Sequence, residues 1–250
     1  MLIGLLFILS TVLGSFLNVC IYRIPKGKSI SFPPSHCPKC ETRLKPMDLI
    51  PLLSYIFYRG KCRYCGEKIS LQYPTVELLN GLIYLFLYMK YGLTLYFFKY
   101  AILSSLLIVI SFIDLKHQII PDRLNLFCLV VGIFFTLSYG NKWLFVNGTI
   151  GLFVGGGLFL LIAIITNGAM GGGDIKLMGA LGLCFGWKYI LLISLLSFII
   201  GAVISIVLLA FKIKGRKDYI PFGPFISIAA LVAMAYGKEI IEWYLRIALG

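Results

Sequence analysis

Apolar residues are gathered along this chain into eight long runs, at about 1–22, 75–90, 93–113, 119–139, 143–166, 176–187, 189–211 and 222–246. A bilayer core takes about 20 apolar residues per helix. Over runs of this length only helices satisfy every backbone group inside lipid. The pattern therefore predicts an all-α polytopic membrane protein with about eight transmembrane helices. The sixth run, about 12 residues, is short for a span and reads as re-entrant, tilted or extended into its neighbours. The last run can end near Tyr236 and continue as an amphipathic tail through Glu239, Glu242 and Arg246. The first run lacks a basic n-region and a small-residue cleavage site, so it reads as a retained helix.

A single long polar stretch, residues 23–73, interrupts the apolar pattern. It is too short to build a large core of its own and needs a staple. The expected organisation is a first transmembrane helix (1–22), a polar module (23–73) and a membrane-embedded core (74–250).

Composition sharpens this picture. The chain is 60% hydrophobic and 13% charged, with a mean hydropathy of +0.94, whereas soluble domains are nearer half apolar and a quarter charged. The net charge of +13 could suggest nucleic acid, but its distribution excludes that partner. Ten of the 23 Lys and Arg lie between Arg23 and Lys68, and four more between Lys212 and Lys217, all in loops beside membrane segments. The positive-inside rule accounts for this excess, and attraction to anionic lipid head groups adds to it. With both loops in the cytoplasm, 17 basic residues fall inside, Lys116, Arg123 and Lys176 included, and six outside.

The polar module carries its own staple. Cys37-Pro38-Lys39-Cys40 and Cys62-Arg63-Tyr64-Cys65 are two CxxC pairs with 21 residues between them, close to the paired spacing of a zinc site. Two such knuckles complete a tetrahedral four-thiolate site, closed to water and therefore structural. Two disulfides are the other reading, disfavoured by a reducing compartment. His36 beside Cys37 could replace one thiolate, although four cysteines make that unnecessary. Cys20, Cys128 and Cys184 lie in apolar runs and read as small buried hydrophobes.

Two aspartates carry the candidate chemistry. Asp114 ends the third run and Asp174 follows the fifth, in Gly171-Gly172-Gly173-Asp174, so the topology puts both at the cytoplasmic end of their helices. Ionisable groups in or against hydrocarbon are costly and mark function. Two carboxylates sharing a site can divide into an ionised base and a protonated acid, the arrangement that activates water against a peptide bond. The plain alternative is that each Asp sits in a polar surface loop. Asp122, after Pro121, reads first as a residue of a helix's opening turn and second as part of the site. His117 reads as a surface histidine before a tuning group. Lys116 and Lys176 read as positive-inside charges before modulators of the pair.

Taken in order, these segments resemble the bacterial prepilin peptidases, also called type 4 prepilin leader peptidases, over essentially the whole chain. The resemblance rests on Gly14-Ser15-Phe16-Leu17-Asn18-Val19-Cys20-Ile21-Tyr22-Arg23-Ile24-Pro25, Ser35 to Cys40, Asp48 to Tyr55, Arg59 to Cys62, and Tyr73-Pro74-Thr75-Val76-Glu77-Leu78-Leu79. The Asp114 segment through Asp122, Gly171 to Asp174, and Pro221-Phe222-Gly223-Pro224 complete it. Val19-Cys20 stands where the family often has two aliphatic residues. The resemblance implies an aspartic endopeptidase and N-methyltransferase of the plasma (inner) membrane, catalytic side to the cytoplasm. Such an enzyme cuts the basic leader from type IV prepilins or pseudopilins, typically after glycine, then methylates the new N-terminal residue with S-adenosylmethionine. It maps the catalytic aspartates onto Asp114 and Asp174. Gly171 and Gly173 also fit the GxGD pattern of intramembrane aspartyl proteases, where glycines let backbone and substrate approach closely. Glu77 is the best-placed acid to attract a basic leader. No strand–GxG–helix unit marks a site for the methyl donor, and the 23–73 module is its plausible platform. Three rivals stay open here: a GxGD protease with other substrates, a proton-coupled transporter, which should show internal repeats, and a non-catalytic scaffold.

Overall fold

The computed structural model describes residues 2–168, 170–215 and 218–249, so Arg216 and Lys217 of the basic 212–217 loop lie outside the described residues. Nine α-helices are present among the described residues: α1 (Leu2–Arg23), α2 (Leu53–Phe57), α3 (Gln72–Tyr91), α4 (Leu95–His117), α5 (Asp122–Ser138), α6 (Lys142–Ile165), α7 (Gly172–Phe185), α8 (Trp187–Ala210) and α9 (Gly223–Leu249). All but α2 coincide with the eight apolar runs. Five of them, α1, α4, α6, α8 and α9, are long and apolar enough to cross a membrane. α5 and α7, of 17 and 14 residues, are shorter. α9 runs unbroken past Tyr236. The chain divides into two compact units, Met1–Val109 and Ile110–Gly250, the boundary falling inside α4.

In the first unit α1 packs on α3 through small residues and buried polar links. A Cβ on Gly14 would come 2.7 Å from the Glu77 Cα, and one on Gly81 would come 2.7 Å from the Phe7 ring. Asn80, fully buried, donates from Nδ2 to the Ser10 carbonyl at 2.7 Å and accepts from the Ser105 hydroxyl at 2.8 Å. Asn18 donates to the Tyr73 carbonyl at 3.1 Å. Small contact residues with interhelical hydrogen bonds are how helices associate where lipid supplies no hydrophobic drive. Between α1 and α3 the chain forms turns and two isolated antiparallel bridges, His36 with Arg43 and Lys61 with Lys68.

The second unit is built around α7. Every residue from Leu177 to Phe185 is buried. α6 presents Gly148, Gly151 and Gly155 to it, so closely that a Cβ on Gly151 would overlap the Gly182 carbonyl and one on Gly182 would overlap the Gly151 carbonyl. Only glycine permits that backbone-to-backbone seating. α9 is pinned at its start by Phe222, whose ring centroid lies 5.3 Å from Phe198 and 6.0 Å from the fully buried Phe159.

Candidate functional site

Two constellations carry candidate chemistry, one in each unit. In the first unit each cysteine pair sits on a turn of the same design. The Cys37 N–H donates to the Thr42 carbonyl at 3.0 Å and the Glu41 N–H to the Cys37 carbonyl at 3.0 Å. Twenty-five residues on, Cys62 donates to the Glu67 carbonyl at 2.7 Å and Gly66 to the Cys62 carbonyl at 2.9 Å. The residue after each second cysteine is left-handed, Glu41 at φ 55° and Gly66 at φ 72°. Lys39 pairs with Glu67 from one turn to the other.

All four sulfurs of Cys37, Cys40, Cys62 and Cys65 lie within 4.8 Å of one another, and those of Cys37 and Cys65 are 3.9 Å apart. Zn–S bonds of about 2.3 Å in a tetrahedron put sulfurs about 3.8 Å apart, so the cluster fits a metal ion of that kind. Hydrogen bonding to the Thr42 side chain, then its backbone, pushes the Cys40 thiol down to about 6. A hydrogen bond with the Glu67 backbone favours the Cys65 thiolate. Desolvation and the neighbouring cysteines outweigh it and push that thiol up to about 12. Sulfurs this close oppose one another's ionisation. The His36 Nδ1 hydrogen-bonds the Pro34 carbonyl at 3.0 Å and stands outside the cluster.

Glu77 also belongs to this unit. It is 7% exposed, and its Oε2 accepts the Leu52 N–H at 2.9 Å. Leu52 carries a positive φ of 60°, so the carboxylate holds a strained backbone position of the polar segment against α3.

The aspartates lie in the second unit, where four backbone segments converge. Asp114, 3% exposed, occupies the last turn of α4, and its Oδ2 accepts the Gly223 N–H at 2.8 Å. Gly223 is the first residue of α9, so the carboxylate faces the positive end of a helix dipole. A Cβ there would sit 2.7 Å from the same oxygen, which explains a glycine between two prolines. Asp174, 4% exposed, lies in the first turn of α7 and within electrostatic reach of Asp114. Its N–H donates to the Gly171 carbonyl at 3.1 Å. Its Oδ1 is buried with no hydrogen-bond partner among the described residues.

The three glycines before Asp174 differ in what they touch. A Cβ on Gly171 would lie 2.9 Å from the Asp174 Oδ2, and one on Gly173 would lie 2.9 Å from the Ile120 Cβ and 3.2 Å from its carbonyl. One on Gly172 would meet nothing within 4 Å. Gly171 and Gly173 thus keep the carboxylate free and let α7 reach the turn between α4 and α5.

Asp122 stands apart. It is exposed at the start of α5 and pairs with Lys176 at 2.7 Å. His117 and Lys116 are exposed as well.

Three groups of this site escape a reading of the sequence. Gly223 lies inside a recognised segment, but nothing there announces its bond to a carboxylate 109 positions away. Asn125, 5% exposed on α5, donates from Nδ2 to the Gly173 carbonyl at 3.3 Å. Its signal is that of a polar side chain inside an apolar run. The Tyr219 hydroxyl lies 3.9 Å from the point a Gly171 Cβ would take. Burial holds its phenol above the ordinary value, and negative charge at Asp174 and then Asp114 adds to that. Nothing in the sequence marks it out among fifteen tyrosines.

Comparison with known proteins covers both units. Residues 8–91 match the profile of the bacterial peptidase A24 N-terminal domain, and residues 101–206 that of the type IV leader peptidase family. The prepilin leader peptidase/N-methyltransferase of Bacillus subtilis (strain 168) is 34% identical over 249 residues, spanning 99% of this chain and 100% of its own. The proteins of the same name from Legionella pneumophila, 34% identical over 94% of this chain and 92% of theirs, and Xanthomonas campestris, 35% over 96% and 93%, are as similar. No solved structure matches significantly. With end-to-end relatives at this identity and both profiles in register, the chain belongs to the type IV leader peptidase family.

Proposed function

We propose that this protein is a prepilin leader peptidase and N-methyltransferase. It removes the leader of type IV prepilins or pseudopilins at the cytoplasmic face of the membrane and methylates the exposed N-terminal amine. The observation that carries the reading is the convergence of two buried carboxylates, Asp114 and Asp174, in unlike surroundings. One carboxyl oxygen accepts a hydrogen bond from the start of a helix and the other carboxyl has an unpartnered oxygen, so a shared proton does not divide evenly.

In the reaction the ionised carboxylate takes a proton from water as the water oxygen bonds to the scissile carbonyl carbon. The protonated carboxyl gives its proton to the carbonyl oxygen. As the tetrahedral species collapses, one of its hydroxyls returns a proton to the carboxylate that gave it, the C–N bond breaks, and the amine leaves with the proton first taken from water. The pair titrates as a unit. When bound, S-adenosylmethionine would supply an electrophilic methyl group to the freed, deprotonated amine, its S–CH3 bond breaking and the neutral thioether leaving.

In this reading eight helices enter the membrane. The 17-to-6 distribution of basic residues supports a cytoplasmic site. The chain is laid out as first helix, 23–73 module and 74–250 core. Cys37, Cys40, Cys62 and Cys65 hold a structural zinc ion, and the module they fold is the platform for the methyl donor, being the one sizeable polar region. Gly171 and Gly173 serve the site by their lack of a side chain. The test is to mix the detergent-solubilised protein with a synthetic prepilin N-terminal segment and S-adenosylmethionine and follow peptide mass. Loss of the leader followed by a one-methyl gain is expected. An intact peptide after incubation with folded, zinc-loaded protein would refute the reading.

A further inference from the structure

Asn125 joins the site by a route the reaction scheme does not use. It is 5% exposed, on the second turn of α5, and its Nδ2 binds the carbonyl of Gly173, the residue peptide-bonded to Asp174. Its Oδ1 is buried and has no hydrogen-bond partner among the described residues, and the same holds for Oδ1 of Asp174. Two buried acceptors left open on groups joined through one peptide are costly unless a donor answers them. Water carries two donors. An amide oxygen can orient one O–H but cannot take the proton, whereas a carboxylate can.

We propose that Asn125 is a positioning residue of the hydrolytic site. Its Nδ2 fixes the Gly173 peptide and with it the turn presenting Asp174, while its Oδ1, buried and open like the Oδ1 of Asp174, orients the attacking water. The inference rests on the peptidase reading above. In the step itself, one water O–H points at the amide and is retained in the product acid. The other O–H gives its proton to the carboxylate pair as the new C–O bond forms. Among the described residues, the ionisable groups at this end of the unit include Asp114 and Asp174, Tyr219 from the segment before α9 with Asp218 beside it and Lys214 bound to the Tyr219 carbonyl at 3.0 Å, the exposed Asp122–Lys176 pair, and exposed Lys116, His117 and Arg123.

The test compares full-length wild type with Asn125→Ala and Asn125→Asp in detergent. It measures kcat and KM for leader cleavage across pH, and separately methyl transfer to a synthetic peptide that already lacks its leader. Asn125→Ala is expected to lower kcat by about 10- to 100-fold with KM changed by less than about threefold, and to leave methyl transfer within about twofold. Asn125→Asp keeps shape and acceptor but adds a third carboxylate beside the pair. Like charge opposes ionisation, so the acid limb of its pH–rate profile is expected to move to higher pH. A wild-type kcat in Asn125→Ala overturns the inference. So does an equal loss of cleavage and methyl transfer, which marks a merely structural residue, or an unmoved pH profile in Asn125→Asp. A wild type that cuts beside unaffected variants overturns this inference alone. A wild type that does not cut overturns the peptidase reading with it.

Discussion

In the polar segment, two short turns, each tied by its own backbone hydrogen bonds, bring four sulfurs together, and no sulfur lies more than three residues from its partner in the pair. At the aspartate site the two carboxyls are 60 positions apart, and each depends on a glycine whose missing side chain leaves room for one of its oxygens. The first arrangement is local, two separately tied turns whose four sulfurs could hold one ion between them. The second is assembled from helix ends and exists only when α4, α5, α7 and α9 are all in place. Disturbing one knuckle should therefore cost the module and leave the second unit's helices folded. Displacing any one helix end should cost chemistry before it costs fold.

The sharpest way to break this contrast is at the carboxyls. Asp114→Asn and Asp174→Asn are each expected to lower cleavage by roughly 10⁴-fold with helical content by circular dichroism unchanged; a fully active variant would undo the assignment. Next comes the metal. Structural zinc contributes on the order of 10 kcal/mol to small modules. Chelation or Cys40→Ser should release about one zinc per chain by atomic emission and open residues 24–71 to protease, while the second unit stays resistant. Third, Gly223→Ala places a Cβ against the Asp114 oxygen and is expected to cost about 100-fold in kcat. Gly172→Ala, with open space around it, should stay within about twofold of wild type. Equal losses in the two would show that general flexibility of the glycines, not contact, is what matters. Fourth, the two knuckles can be played against each other. Gly66→Ala should weaken the module by about 1 kcal/mol and Glu41→Gly strengthen it by about as much, because both positions are left-handed; chelator titration midpoints moving in opposite directions would confirm it. Smallest is Lys176→Ala. It removes an exposed pair and should shift thermal stability by less than about 0.5 kcal/mol.

What the sequence disclosed follows the same division. The cysteine pairs were legible because spacing alone sets a knuckle's geometry. The eight helices were legible because each apolar run folds on its own hydrogen bonds, although α7 begins four residues before its run, at the glycines. Asp114 and Asp174 stood out because acids are rare in such runs. Their surroundings were not legible. Nothing local tells that Gly223 donates to Asp114, that Asn125 holds Gly173, or that Tyr219 comes near Gly171, since each is a contact between segments that only packing brings together. Glu77 shows the limit from the other side. Its position at the head of α3 was legible, but nothing local tells that its carboxylate accepts the Leu52 N–H.

The burial of α7 has a consequence for how this chain can change over generations. α6 and α8 turn large apolar side chains outward, Phe153, Ile164, Leu195 and Val203 among them, and lipid accepts one such residue in place of another. From Leu177 to Phe185, α7 answers only to protein. A methyl group gained at Gly151 or Gly182 has nowhere to go, and a shift that made room for it would carry Asp174 along. Drift is therefore free on the outside of the second unit and all but closed along one short internal helix, where sequence memory should persist longest.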